Sequence, residues 1–210
     1  MKRSDDDFVR VFGKPNVARE VIEFWSIKMK TFMFCESRLE RLACLQREFD
    51  DSVLRYVTQP KSYFYEKSGK TRRYTPDALI LSTGNAYHFE EIKPQKRTET
   101  EEFKDTFPFI QAVFSGLIKV PLHLNTVNAP TYLDANLSEL YLLRRRVLEV
   151  DVVTKLVKKL PKTIQNSELQ QWLVQKGYDY HMASALIAHG VYQLDHQQRL
   201  SPSSILERAA

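Results

Sequence analysis

The stretch Thr75-Pro76-Asp77-Ala78-Leu79-Ile80-Leu81-Ser82-Thr83-Gly84-Asn85-Ala86-Tyr87-His88-Phe89-Glu90-Glu91-Ile92-Lys93-Pro94 decides the fold. Ala78 to Leu81 is apolar on both parities, which suits a central strand buried on both faces. Pro76 removes a ladder donor, so regular pairing is expected to begin at or after Asp77. Ser82-Thr83-Gly84-Asn85 is a turn signal, and Ala86 to Lys93 is the returning strand, stopped by Pro94. Side chains alternate along a strand, so Glu91 and Lys93 share a face with Phe89 and Tyr87. Two carboxylates such as Asp77 and Glu91 can hold Mg²⁺ through oxygen. The ion would lower the pKa of water and stabilise negative charge at phosphorus, and a lysine within reach can orient that water or take its proton. A geometric condition follows. A tight turn centred on Thr83-Gly84 pairs Asp77 with Glu90, whose side chain faces away from Glu91. For Asp77 to join Glu91, the loop must have an odd length or one strand must carry a bulge, expected between Leu81 and Ala86 or just after Pro76.

The plainer reading of these residues is an exposed Glu91–Lys93 pair and a turn aspartate after proline, since Pro-Asp and Glu-x-Lys both recur by chance. Against it, Glu91 lies beside an apolar hairpin, where unpaired charge is costly. Upstream, Glu40 sits on a helix in Ser37-Arg38-Leu39-Glu40 and offers a third carboxylate. Its local role is a capping box, with Glu40 returning a hydrogen bond to the Ser37 backbone. Glu36, four residues earlier and on roughly the same face, is the substitute for Glu40 as the helix carboxylate.

Working outward, Val17, Val21, Ile22 and Trp25 recur at helical spacing and predict a short helix from Asn16 to Lys28. A second helix is expected over Glu36 to Phe49, capped by Ser37. Val53 to Val57 and Ser62 to Tyr65 read as strands, and Arg72 to Thr75 leads into the third, which continues through Ala78 to Leu81, giving an antiparallel meander. Helical spacing returns from Glu99 to Gly116, where Pro108 should kink or interrupt the helix. Val120 to Val127 reads as a further strand and Leu137 to Leu148 as a helix. The order predicts an α/β layer fold with a mixed sheet flanked by helices. After Leu148 come three short helices, Val150 to Leu160, Ser167 to Lys176 and Tyr180 to His189, the last two stopped by Gly177 and Gly190. A small hairpin pairing Val191 to Leu194 with Arg199 to Ser201 completes a winged-helix-like pattern. The expected domains are therefore 1–148 and 149–210.

The chain has 210 residues, with 31 Lys+Arg against 26 Asp+Glu, and 43% are hydrophobic, which excludes intrinsic disorder. Two cysteines, Cys35 and Cys44, exclude a disulfide scaffold. They point to a reducing compartment and read as small core residues. No stretch approaches a membrane span, and Met1 to Asp7 has no apolar run behind it, so no secretory signal is expected. The formal charge of +5 hints at a polyanion partner.

Five blocks in order resemble a known family: Glu36-Ser37-Arg38-Leu39-Glu40, Glu48-Phe49-Asp50, Gln59-Pro60, Tyr74-Thr75-Pro76-Asp77 and Glu91-Ile92-Lys93-Pro94. Across about residues 15 to 95 the chain looks like TnsA, the endonuclease subunit of heteromeric bacterial transposons, and its short C-terminal part looks most like the TnsA proteins of CRISPR-associated transposons. The resemblance implies a restriction-endonuclease-like core for residues 1–148. It also implies Mg²⁺-dependent cleavage at the 5′ ends of a mobile element during cut-and-paste transposition, with Mn²⁺ able to substitute. Glu40, Asp77, Glu91 and Lys93 are the implied catalytic set, with metal held by Glu40, Asp77, Glu91 and the Ile92 backbone carbonyl. Implied partners are transposon-end DNA, an integrase-type transposase and an AAA+ ATPase regulator, in the bacterial cytoplasm and away from membranes. Ala78 departs from the bulky aromatic common at that position, a packing change beside the site.

Lys61, Arg72 and Arg73 before Asp77, and Lys96 and Arg97 after the site, are the candidate DNA-phosphate contacts. For the neighbouring Lys67 and Lys70, solvated turn charges are an equally good reading. Arg144-Arg145-Arg146 either binds phosphate or ends a helix against its dipole. Lys155, Lys158, Lys159 and Lys162 are a solvated helix face or a contact for DNA or an acidic partner. No glycine-rich phosphate loop occurs, so ATP hydrolysis is expected of a partner. Two rivals remain: a stand-alone restriction or repair nuclease, and a catalytically silent DNA-binding assembly subunit.

Overall fold

The computed structural model describes residues 21–127, 132–195 and 198–209. The chain divides into two compact units, Met1–Asn128 and Ala129–Ala210. The division falls ahead of the 148/149 boundary expected from the sequence.

In the first unit, β1 (Ile22–Ser26) and β2 (Thr31–Cys35) precede α1 (Arg38–Phe49) and β3 (Val53–Thr58). Then come β4 (Tyr63–Lys67), β5 (Lys70–Tyr74), β6 (Ala78–Ser82) and β7 (Ala86–Lys93). The short α2 (Gln95–Thr98), α3 (Glu101–Val113) and a π-helical turn (Phe114–Ile118) lead to β8 (Leu122–Thr126). The central sheet has the order β3-β6-β7-β8. β3, β6 and β7 pair antiparallel and β8 runs parallel to β7, so the sheet is mixed, as expected. A parallel neighbour needs a long crossover, and α2, α3 and the π turn supply it. On this side of the sheet Leu79, Phe89 and Leu122 pack with Phe107, Ile110 and Phe114. Phe114 packs edge-on against Tyr63, Tyr74 and Phe89, with ring centroids 5.1 to 5.6 Å apart. Such pairs add to simple area burial.

Three expectations need correction here. The segment read as the end of a helix from Asn16 to Lys28 forms β1 from Ile22 onward; positions 16–20 lie outside the described residues. Phe24 and Ser26 are buried while Glu23 and Trp25 are exposed, a period of two rather than 3.6. Cross-strand packing of Trp25 on Phe32, centroids 5.0 Å apart, fits the hairpin register, in which those two residues are partners. The meander is also interrupted: β4 and β5 pair only with each other, as a separate ribbon, and β3 pairs with β6. Finally, α3 runs through Pro108, and the irregularity comes afterwards, as the π turn that ends at left-handed Lys119.

The β6–β7 register meets the condition set by the sequence. Ser82 pairs with Ala86 and Ala78 with Glu90, leaving the three-residue loop Thr83-Gly84-Asn85. Carried on by one position, that register would set Asp77 opposite Glu91. Gly84 at φ +90° and Asn85 at φ +60° supply the left-handed backbone that the turn requires.

The second unit contains α4 (Leu133–Arg144), α5 (Val150–Val157), β9 (Thr163–Gln165), α6 (Asn166–Gln175), α7 (Met182–Ala188), β10 (Tyr192–Gln193) and β11 (Ile205–Arg208). Its antiparallel sheet has the order β10-β11-β9. The strand that pairs with Tyr192–Gln193 is Ile205–Arg208, not the expected Arg199 to Ser201. Ile205–Arg208 can bridge two strands, with Leu206 fully buried between them. Helix α4 packs on α7, with Arg144 Nη1 donating to the Ala188 carbonyl at 2.8 Å. Arg146 pairs with Asp179 at 2.9 Å, so two members of the arginine triplet have partners within the unit.

Candidate active site

Asp77 lies just before β6, beyond the last ladder pair of Ala78 with Glu90, and its N–H donates to the Glu90 carbonyl at 2.9 Å. Its Oδ2 accepts from the Ile92 N–H at 2.7 Å, which fixes the carboxylate against β7. Lys93 reaches back between the two acids, with Nζ 2.6 Å from Glu91 Oε1 and 3.5 Å from Asp77 Oδ2. The other Glu91 oxygen accepts from the Tyr74 hydroxyl at 2.5 Å. Burial, and then the charge of Asp77, pushes the Glu91 carboxyl up, with Lys93 pulling the other way. Burial disfavours the Lys93 charge, but Asp77 and Glu91 outweigh it and raise its pKa. Lys93 is therefore an ammonium at neutral pH and serves as a donor and counter-charge, rather than a base, while both acids face it. Burial first, and then Glu91, raises the Tyr74 phenol, so it remains a neutral donor.

Glu40 comes from the first turn of α1 and is 7% exposed. Its N–H donates to Ser37 Oγ at 3.2 Å, the expected cap. Its carboxylate departs from the capping box: it accepts from the Glu36 N–H at 2.9 Å, the Ser37 hydroxyl at 3.0 Å and Gln59 Nε2 at 3.2 Å. Burial, and then Asp77, raises its pKa, against those three hydrogen bonds. Glu40 and Glu36 both line the same cleft as Asp77, and Glu40 is the buried one of the two.

That cleft, of about 740 Å³, brings together Glu40, Gln59, Asp77, Glu91, Ile92 and Lys93. Arg38 and Arg73 also line it. Arg73 is one of the candidate DNA contacts; Arg38, in the first turn of α1, is not among them. Arg97 borders a smaller hollow of about 280 Å³ that also touches Glu91 and Lys93. Lys61, Arg72 and Lys96 are exposed and line neither space. Lys67 is committed to Asp105 at 2.9 Å.

On the opposite face of β7, Glu90 pairs with buried Arg47 of α1 at 2.6 Å and accepts from Asn125 Nδ2 at 3.0 Å. His88 contacts Glu90 at 3.3 Å and stacks on His123, in keeping with a structural role. Cys35 and Cys44 are fully buried with sulfurs 3.7 Å apart.

Among the described residues no group of three or more His, Cys, Asp or Glu side chains is gathered as a ready metal-ligand cluster. Lys93 stands between Glu91 and Asp77, and Glu40 is held by its three donors. The donor set itself fits a hard divalent cation: buried carboxylate oxygens, two of them on groups whose pKa a neighbouring acid raises. A cation would relieve that repulsion as Lys93 partly does.

Residues 50–115 match the family model described as TnsA-like endonuclease N terminal. The matched span contains Asp77, Glu91 and Lys93 and begins after Glu40. No curated protein matches the chain. Among the described residues no helix is long and apolar enough to cross a membrane.

Proposed function

We propose that this chain is the Mg²⁺-dependent DNA endonuclease subunit of a heteromeric bacterial transposase, cutting the 5′ ends of a mobile element in cut-and-paste transposition. The observation that carries the reading is the meeting of Asp77, Glu91 and Lys93 in one cleft, inside a span that matches a TnsA-like endonuclease domain. Glu40, Asp77, Glu91 and the Ile92 carbonyl would hold the ion. Bound there, Mg²⁺ or Mn²⁺ supplies Lewis-acid stabilisation of charge at the phosphorus and a more acidic water. The Lys93 ammonium donates to the attacking water or to a phosphate oxygen, and Tyr74 keeps Glu91 turned to the cleft. Arg73 and Arg38 at the cleft, and Lys61, Arg72, Lys96 and Arg97 around it, neutralise DNA phosphates and set the strand's position. The core is restriction-endonuclease-like.

The second unit is winged-helix-like in its order α5-β9-α6-α7-β10-β11. Six of the seven residues of α7 are buried, so the helix that would enter a major groove has few side chains for base edges. That favours a protein partner over base reading for this unit. The proposed partners are an integrase-type transposase, an AAA+ regulator and transposon-end DNA, in the bacterial cytoplasm, in a system of the CRISPR-associated transposon kind.

The test is Asp77→Ala in a reconstituted transposition reaction with labelled transposon ends. Loss of 5′-end cleavage, with assembly and 3′-end joining retained, is the expected result. Undiminished 5′ cleavage refutes the assignment, and efficient cleavage by the purified chain alone favours a stand-alone nuclease.

A further inference from the structure

Five described residues other than glycine have positive φ: Lys30, Gln59, Ser68, Asn85 and Lys119. Lys30, Ser68 and Asn85 sit in hairpin turns and Lys119 caps the π turn, and all four are exposed. Gln59 is different. It is 4% exposed, at φ +47°, at the end of β3. A left-handed backbone is ordinarily given to glycine, or to asparagine in a turn. A buried glutamine held there is strained, and strain of this kind persists where the surroundings over-determine it.

Two hydrogen bonds show what holds it. The Gln59 N–H donates to the Asp77 carbonyl at 2.9 Å, and its side-chain Nε2 donates to Glu40 Oε2 at 3.2 Å. One residue thus ties the backbone of the strand-borne acid to the carboxylate of the helix-borne acid. Glu40 and Asp77 come from elements 37 positions apart in the chain, and of the three donors to the Glu40 carboxylate, only Gln59 lies outside its own helix start.

We infer that Gln59 is a positioning residue of the cleft: its amide holds the Glu40 carboxylate in register with Asp77, so that the two acids can share one divalent cation. This rests on the function proposed above. A glutamine kept for its backbone alone could be replaced by glycine at no loss. One kept for its amide could not.

The experiment measures Mn²⁺ binding to the full chain without DNA, by electron paramagnetic resonance, for wild type, Q59M, Q59G, E40Q, D77N and the double variant Q59M/E40Q. Loss of a hydrogen bond that orients a metal ligand weakens affinity by about 10-fold. Q59M and Q59G should both show that loss, with Q59G melting no lower than Q59M because glycine accepts the backbone. In the E40Q background, Q59M should add less than about 2-fold, since the group it orients is already altered. The inference is overturned if Q59M binds Mn²⁺ like wild type while E40Q and D77N bind weakly, or if the full Q59M loss persists in E40Q. Undiminished binding by both E40Q and D77N instead overturns the metal site itself, and this inference with it.

Discussion

Arg47→Met probes how α1 is locked to the strand that carries Glu91 and Lys93. Arg47 is buried, its Nη2 is 2.6 Å from Glu90 Oε2, and its guanidinium lies 5.6 Å from the Tyr56 ring. Burial pushes the Glu90 carboxyl up, but the His88 contact, the Arg47 charge and the Asn125 amide outweigh it and hold the pKa at about 2, against an ordinary 4.5. That depression corresponds to roughly 3 kcal/mol of folding stability at neutral pH. His88 and Asn125 keep part of it, and the buried guanidinium, whose Nε has no hydrogen-bond partner among the described residues, costs something to retain. Arg47→Met keeps the apolar stem, so its expected loss is about 2 kcal/mol at pH 7. Because the folded pKa lies below the unfolded one, the carboxylate's contribution is in full force above about pH 4.5 and is lost as pH falls through about 2. The gap between variant and wild type should therefore narrow by pH 3 and fall to under half by pH 2. Urea unfolding followed by tryptophan fluorescence measures it, in a Trp172→Phe background so that Trp25 reports on the first unit. A gap equal at pH 7 and pH 3 would mean that packing, not charge, joins α1 to β7.

Glu48→Leu should cost more than 3 kcal/mol in the same assay. Glu48 is fully buried and accepts from the Ser26 hydroxyl at 2.5 Å, the Tyr56 hydroxyl at 2.7 Å, the Ile27 N–H at 3.1 Å and the Lys28 N–H at 3.0 Å, and each of them loses this buried carboxylate. A loss below 1 kcal/mol would show that water replaces the carboxylate. Tyr74→Phe removes one donor from Glu91 with little change in volume; it should lower 5′-end cleavage by about 10-fold, the scale of one hydrogen bond to a charged group. An unchanged cleavage rate would show that Lys93 alone orients Glu91.

The central hairpin was legible because its evidence is local. Apolar residues on both parities mark Ala78 to Leu81, Pro94 ends the returning strand, and the need to face Asp77 toward Glu91 demands an odd loop, which Thr83-Gly84-Asn85 provides. β1 was misread because Val17, Val21, Ile22 and Trp25 happen to fit a helical spacing, whereas the deciding contacts are across strands, Trp25 on Phe32 and Ser26 on Glu48. Those partners lie 7 and 22 positions away on other elements, and the periodicity of one segment does not register contacts across strands. The ribbon of β4 and β5 was folded into the meander for the same reason, since strand pairing by itself leaves no mark of which neighbour a strand will choose. In the second unit the hairpin partner was set too early, because the polar run from Asp195 to Gln198 reads as a short turn.

The site was legible in its acids and not in what holds them. Carboxylates and a lysine announce themselves by type and spacing. Gln59 and Tyr74 do not, since glutamine and tyrosine have many structural uses, and their contacts to Glu40 and Glu91 span 19 and 17 positions. Yet the arrangement needs both. Glu40 and Glu91 are each pushed toward neutrality by burial and by Asp77, and left to themselves would turn toward solvent or take up protons. Gln59 and the Ser37 cap hold the one, Tyr74 and Lys93 the other. The acids are thus kept facing a common cleft by donors on β5, β7, the end of β3 and the start of α1. On the proposed function, a divalent cation would find these oxygens already gathered, with Lys93 standing between two of them. On that same reading, the placing of Glu40, Asp77, Glu91 and Lys93 would depend on a scaffold whose own residues carry no catalytic signature.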